Sequence, residues 1–128
     1  MNTEFEMVKQ FHSAFGHPVA VQPKMLDRER LRVRIDWCSS ELIELWNAPT
    51  LVKQLDANLD GIYFHLGNLV EMGIEPEIFF RLVHAANMAK LWPDGKPRKD
   101  IMQGKIIKPP GWIGPEASMA ALLSTYKK

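Results

Sequence analysis

The stretch LVKQLDANLDGIYFHLGNLVEMG, residues 51–73, decides the fold. Its apolar positions Leu51, Leu55, Leu59, Ile62, Leu66 and Leu69 recur at three- and four-residue steps, the period of a helix with one wide apolar face. Thr50 offers this helix an N-cap hydroxyl, and Gly73 closes it. Asp56 and Asp60, four residues apart, share one face beside the leucine stripe, with Tyr63 and Gly67 above them.

Upstream, Asn47, Ala48, Pro49 and Thr50 break a second helix that starts near Asp27 and reaches about Trp46. On a helical wheel Leu31, Ile35, Cys38, Leu42, Leu45 and Trp46 form an apolar stripe. Trp37, Ser40, Glu41 and Glu44 lie roughly opposite, on one face. A tryptophan there implies that this polar face is partly covered. The short connection favours antiparallel packing of the two helices, which would bring their acidic pairs together.

Further out, Phe5, Val8, Phe11 and Phe15 mark a first helix over about residues 3–15, ended by Gly16. A fourth helix is expected from Pro76 through Ile78, Phe79, Leu82, Val83, Ala86 and Ala89. From residue 91 the chain reads LWPDGKPRKDIMQGKIIKPPGWIGP, whose prolines and Asp-Gly and Gln-Gly turns predict a hairpin or an ordered arm. A short helix over about 116–126 follows. The expected architecture is all-α: a small antiparallel helix bundle in one domain, 1–128, with a helical core at about 3–91 and a basic Pro/Gly-rich arm at about 92–115.

Composition narrows the function. The 128 residues are 46% hydrophobic, and 16 basic against 15 acidic side chains argue against a nucleic-acid binder working through net charge. One cysteine, Cys38, excludes an internal disulfide and fits a reducing compartment; no Cys/His spacing supports zinc. The opening MNTEFEMVKQF has no uninterrupted apolar core, so no signal peptide is expected. No apolar run approaches the roughly 20 residues that cross a bilayer. The default expectation is a cytoplasmic protein without a membrane or nucleic-acid partner. GxxxxGK[ST] and GxGxxG are both absent, which excludes P-loop and Rossmann nucleotide sites.

Carboxylates from two helices suit a hard cation such as Mg²⁺, which takes oxygen ligands and bridges to substrate phosphates. Acid pairs at this spacing also occur on ordinary solvated helix faces, and spacing alone does not separate the readings. His65 and His84 read as packed or surface residues. The tryptophans at 37, 46, 92 and 112 read as core or interface anchors, with stacking on a base left open.

Three segments change the balance. VKQFHSAFGHPV (8–19), VHAANMAKLWPDGKP (83–97) and GKIIKPPGW (104–112) resemble a branch of the MazG-like, phosphoribosyl-ATP pyrophosphohydrolase-like proteins, all-α nucleotide pyrophosphatases. The resemblance runs from about residue 5 to 115. It implies hydrolysis of a nucleoside triphosphate to the monophosphate and pyrophosphate with Mg²⁺, or Mn²⁺ in its place, by a homodimer or homotetramer.

The family's first metal motif, RxxLIxEExxEL, aligns with RIDWCSSELIEL (34–45): Arg34, Glu41 and Glu44 match, and Ser40 replaces a glutamate. Its second, like DALxDLLYV, aligns with DANLDGIYF (56–64): Asp56, Asp60 and Tyr63 match, and Gly61 replaces a leucine. The implied metal ligands are Glu41, Glu44, Asp56 and Asp60, with Glu41, Glu44 and Asp60 also catalytic. The implied substrate-binding residues are Arg34, Tyr63, Asn87 and Lys90, with Lys96 added from the basic arm. A serine supplies neither charge nor a base at neutral pH. The competing reading is therefore an inactive homologue that binds nucleotide or a regulatory protein partner. A third reading keeps the fold and uses none of these residues.

Overall fold

The computed structural model describes residues 1–126. Five helices follow in chain order: α1 (Asn2–Phe15), α2 (Arg28–Asn47), α3 (Leu51–Met72), α4 (Glu77–Met88) and α5 (Glu116–Ser124). Among the described residues there is no strand, only an antiparallel bridge between Lys99 and Ile106. The all-α expectation is met.

The caps are those the sequence offers. The Thr50 hydroxyl accepts from the Lys53 N–H at 3.2 Å, and the Asp27 carboxylate accepts from the Arg30 N–H at 2.8 Å. Gly73 ends α3 in the left-handed conformation, φ 73°, where a side chain would also run into the Gln22 carbonyl. α4 is shorter than its periodicity suggests. It starts after Pro76 and stops at Met88; the Ala89 N–H still bonds Ala85, but those of Lys90 and Leu91 bond three residues back, to Asn87 and Met88, and end the ladder.

The chain divides into two compact units, Met1–Pro76 and the residues from Glu77 onward. The first holds α1, α2 and α3. Its core is small: Phe5 and Val8 of α1 against Leu66 and Val70 of α3, with Val19 and Leu69 at the edge. The link after α1 is tied to α3 by Ala20 N–H to Val70 and Lys24 N–H to Met72 carbonyl bonds.

α2 and α3 run antiparallel. As α2 advances from Arg34 to Trp37 and Glu41, its neighbours on α3 recede from Glu71 and Asn68 to Phe64 and Asp60. The apolar stripe of α2 does not enter the core: Ile35, Leu42 and Trp46 are exposed, and Arg34 is the fully buried residue of the helix. On α3, Leu51, Leu55, Leu59 and Ile62 are exposed as well. The far end of the stripe, Leu66 and Leu69, packs into the core.

In the second unit Phe79 of α4 is buried beside Tyr126, 5.8 Å between ring centroids. The Trp112 indole N–H donates to the Ala86 carbonyl at 2.7 Å, and that of Trp92 donates to the Ile107 carbonyl at 3.0 Å. These bonds and the 99–106 bridge give the arm its order without a sheet.

Candidate functional site

The seam between α2 and α3 carries three zones. At one end lies the acid cluster. Single carboxylate oxygens of Glu41, Glu44 and Asp60 lie within 4.8 Å of one another. The helical spacing explains it: Glu41 and Glu44 are one turn apart on α2, and antiparallel packing sets Asp60 opposite them. Glu41 Oε2 is sealed from solvent and has no hydrogen-bond partner. Burial and the neighbouring carboxylates of Glu44, Asp60 and Asp56 push the Glu41 carboxyl above its usual value. Burial and the charges of Asp56 and Glu44 do the same to Asp60. Asp56 itself is exposed and stands outside the three-oxygen group, acting on it through its charge.

Ser40 does not join them. Its hydroxyl donates to the Trp37 carbonyl at 2.7 Å, the back-bond that a serine inside a helix readily makes.

In the middle lies an aromatic zone. Trp37 faces Phe64 at 5.9 Å and His17 at 5.7 Å, His17 stacks on Phe11 at 6.0 Å, and Phe11 meets Tyr63 edge-on at 5.6 Å. Trp37 stands one turn before Glu41, and Tyr63 one turn beyond Asp60, so this zone borders the acid cluster.

At the other end, two guanidinium groups, those of Arg30 and Arg34, share the Glu71 carboxylate. Arg30 grips Glu71 with Nε to Oε1 at 2.7 Å and Nη2 to Oε2 at 2.9 Å. Arg34 gives Nη1 to Glu71 Oε2 at 2.8 Å, Nε to Asn68 Oδ1 at 2.6 Å and Nη2 to the Phe64 carbonyl at 2.8 Å. Burial alone would raise the Glu71 carboxyl, but the Arg30 hydrogen bonds and the charges of Arg34, Arg30 and His12 outweigh it and hold it low. His12 is buried: desolvation lowers its value, and its Nδ1 lies 2.9 Å from the Pro18 carbonyl, which favours a proton on that nitrogen. Gly67 makes the crossing possible, since a Cβ there would overlap Arg34 Nη2 and lie 2.9 Å from His12 Nε2.

The residues expected from sequence therefore fall into separate places. Glu41, Glu44 and Asp60 converge. Tyr63 is exposed at the aromatic zone. Arg34 is 2% exposed, with donors from all three guanidinium nitrogens committed inside the protein. Asn87, Lys90 and Lys96 belong to the second unit. There, Asn87 and Lys96 are exposed, and the Lys90 and Lys108 ammonium groups lie 5.1 and 4.6 Å from the Trp112 ring. Glu71 and His12 were not singled out by the sequence reading. A charged residue within the apolar run LVEM was the available signal for Glu71.

The sequence model of the phosphoribosyl-ATP pyrophosphohydrolase family matches residues 8–87, which include both acid-bearing helices. Among solved structures, the chain is similar to a candidate NTP pyrophosphohydrolase from Exiguobacterium sp. 255-15. The two are 30% identical over 94% of each chain, with a TM-score of 0.51. No curated protein matches the sequence.

Proposed function

Because the chain belongs to the phosphoribosyl-ATP pyrophosphohydrolase family, we propose that it hydrolyses a nucleoside triphosphate to the monophosphate and pyrophosphate, aided by a divalent cation at Glu41, Glu44 and Asp60. The observation that carries this reading is the orphaned Glu41 Oε2 inside a group of three carboxylate oxygens. A buried unpartnered oxygen in a cluster of like charges is costly on its own and fits a hard cation. Mg²⁺ is the proposed ion, with Mn²⁺ able to replace it. When bound, such an ion neutralises phosphate charge.

The protein's own groups divide the remaining work. Glu44, exposed at the mouth of the cluster, is placed to take a proton from an attacking water. Asp56 adds negative charge that strengthens the hold on a cation. Tyr63, exposed beside the acids, offers a ring for a nucleobase, whereas Trp37 is already packed against the Arg30 and Arg34 guanidinium groups, each 5.2 Å from its ring centroid. Asn87 can donate and accept toward base or sugar, and Lys90 and Lys96 supply point charge for phosphate. Arg34 serves by holding α2 against α3.

A second copy of the chain is proposed to cover the exposed stripe of α3, giving a homodimer or a homotetramer. The cytoplasm is the proposed location. No described helix is long and apolar enough to cross a membrane.

Pyrophosphate release from a panel of NTPs and dNTPs with Mg²⁺ or Mn²⁺ tests the activity. Absence of release together with calorimetric nucleotide binding would instead support an inactive nucleotide-binding homologue or a regulator. Ser40 in place of a motif glutamate is the observation that favours that second reading. Light scattering tests the assembly.

A further inference from the structure

Resting on the cation site proposed above, we infer that each chain holds one divalent cation and that position 40 limits the number. The three oxygens of Glu41, Glu44 and Asp60 form a single group spanning at most 4.8 Å. Oxygen ligands sit about 2.0–2.1 Å from Mg²⁺, so opposite ligands of one ion are about 4.2 Å apart, and this group is close to the size of one ion's ligand shell. A second ion at about 3.5–4 Å, the separation in two-metal phosphoryl sites, needs further oxygen ligands beside the first set.

Among the described residues no second converged set of such ligands stands beside it. Ser40 precedes Glu41 and lies one turn before Glu44, so a carboxylate at this position would extend the α2 acids. The serine instead gives its proton to the Trp37 carbonyl and brings no charge. Asp56 is exposed and outside the group.

Electron paramagnetic resonance of free Mn²⁺, titrated into the full chain, counts the bound ions without any turnover. Wild type is expected to bind one Mn²⁺ per chain. Ser40→Ala is expected to keep that number, with affinity within about twofold, because the hydroxyl is not a ligand. Ser40→Glu is expected to bind a second ion. Two ions in wild type would overturn the inference while leaving the proposed function standing. A loss of about tenfold or more in Ser40→Ala would make the hydroxyl a ligand and overturn it as well. A Ser40→Glu variant still limited to one ion would show that position 40 does not set the count. No binding by folded wild type would overturn the cation site itself, and the inference with it.

Discussion

The two ends of the α2–α3 seam are built from the same kind of residue and end in opposite electrostatic states. Glu71 is buried and met by the Arg30 and Arg34 guanidinium groups, the latter also held by Asn68, so its charge is welcome. Glu41 and Asp60 are partly buried among other acids, so desolvation and like charge both resist their ionisation. The first end is complete within the chain and contributes to holding the helices in register. The second is incomplete and is ready for something positive. A buried ion pair stabilises only when every partner is present, and an unbalanced cluster weakens the fold to make a binding site.

Removing a carboxylate from each end should separate these roles most sharply. Asp60→Asn is expected to lower pyrophosphate release by about 10²–10⁴-fold, the range for a single catalytic or charge-bearing group. The same change should leave the cation-free protein as stable as wild type or more so, as denaturant unfolding would show. Glu71→Ala should do the reverse. It strands two guanidinium groups and is expected to cost about 3–5 kcal/mol in unfolding free energy. A Glu71→Ala protein of wild-type stability would mean that the paired end does not hold the seam.

The two glycines of α3 extend the comparison. Gly67→Ala pushes a methyl group into Arg34 and His12 and is expected to destabilise by about 1–3 kcal/mol. Gly61 has nothing within 4 Å of where a Cβ would stand, so Gly61→Ala should stabilise the isolated chain by about 1 kcal/mol through helix propensity. If Gly61→Ala instead weakens assembly or nucleotide binding, that open space is filled in the working protein.

The smallest expected effect is on pH dependence, because the two ends oppose each other. Glu41 and Asp60 have raised values, so they favour the folded state at low pH and lose that contribution as pH rises through those values. His12 is lowered from 6.5, so its contribution is complete above 6.5 and is lost as pH falls. Glu71 is lowered from 4.5 and loses its contribution only at still lower pH. As pH falls, the acid cluster therefore offsets His12, because the two contributions change in opposite senses. Saturating Mg²⁺, or the pair Glu41→Gln with Asp60→Asn, should remove that offset. Thermal melts should then show a steeper loss of stability on acidification than the chelator-treated wild type.

Much of this molecule can be read from its sequence where local rules dominate. Gly16, Thr50 and Gly73 mark helix ends because capping is a property of a few adjacent residues. Glu41, Glu44 and Asp60 could be brought together on paper because helical spacing and a short connection set their geometry. Arg34 could not be read that way. Its partners Asn68 and Glu71 lie 34 and 37 residues away, and an arginine before an acidic motif looks the same whether it faces a ligand or a neighbour. The exposed α2 stripe follows the same logic. Periodicity shows which residues share a face, but not whether that face is covered by the same chain.

Cys38 sits on this seam, one turn from Arg34 at the paired end and one turn from Glu41 at the acidic end, and it is the single thiol of the chain. Half-buried, it is expected to react faster when α2 lifts from α3. The rate at which a thiol reagent labels it is thus a clock for the opening of the seam, set in the unmodified protein between the two ends it would report on.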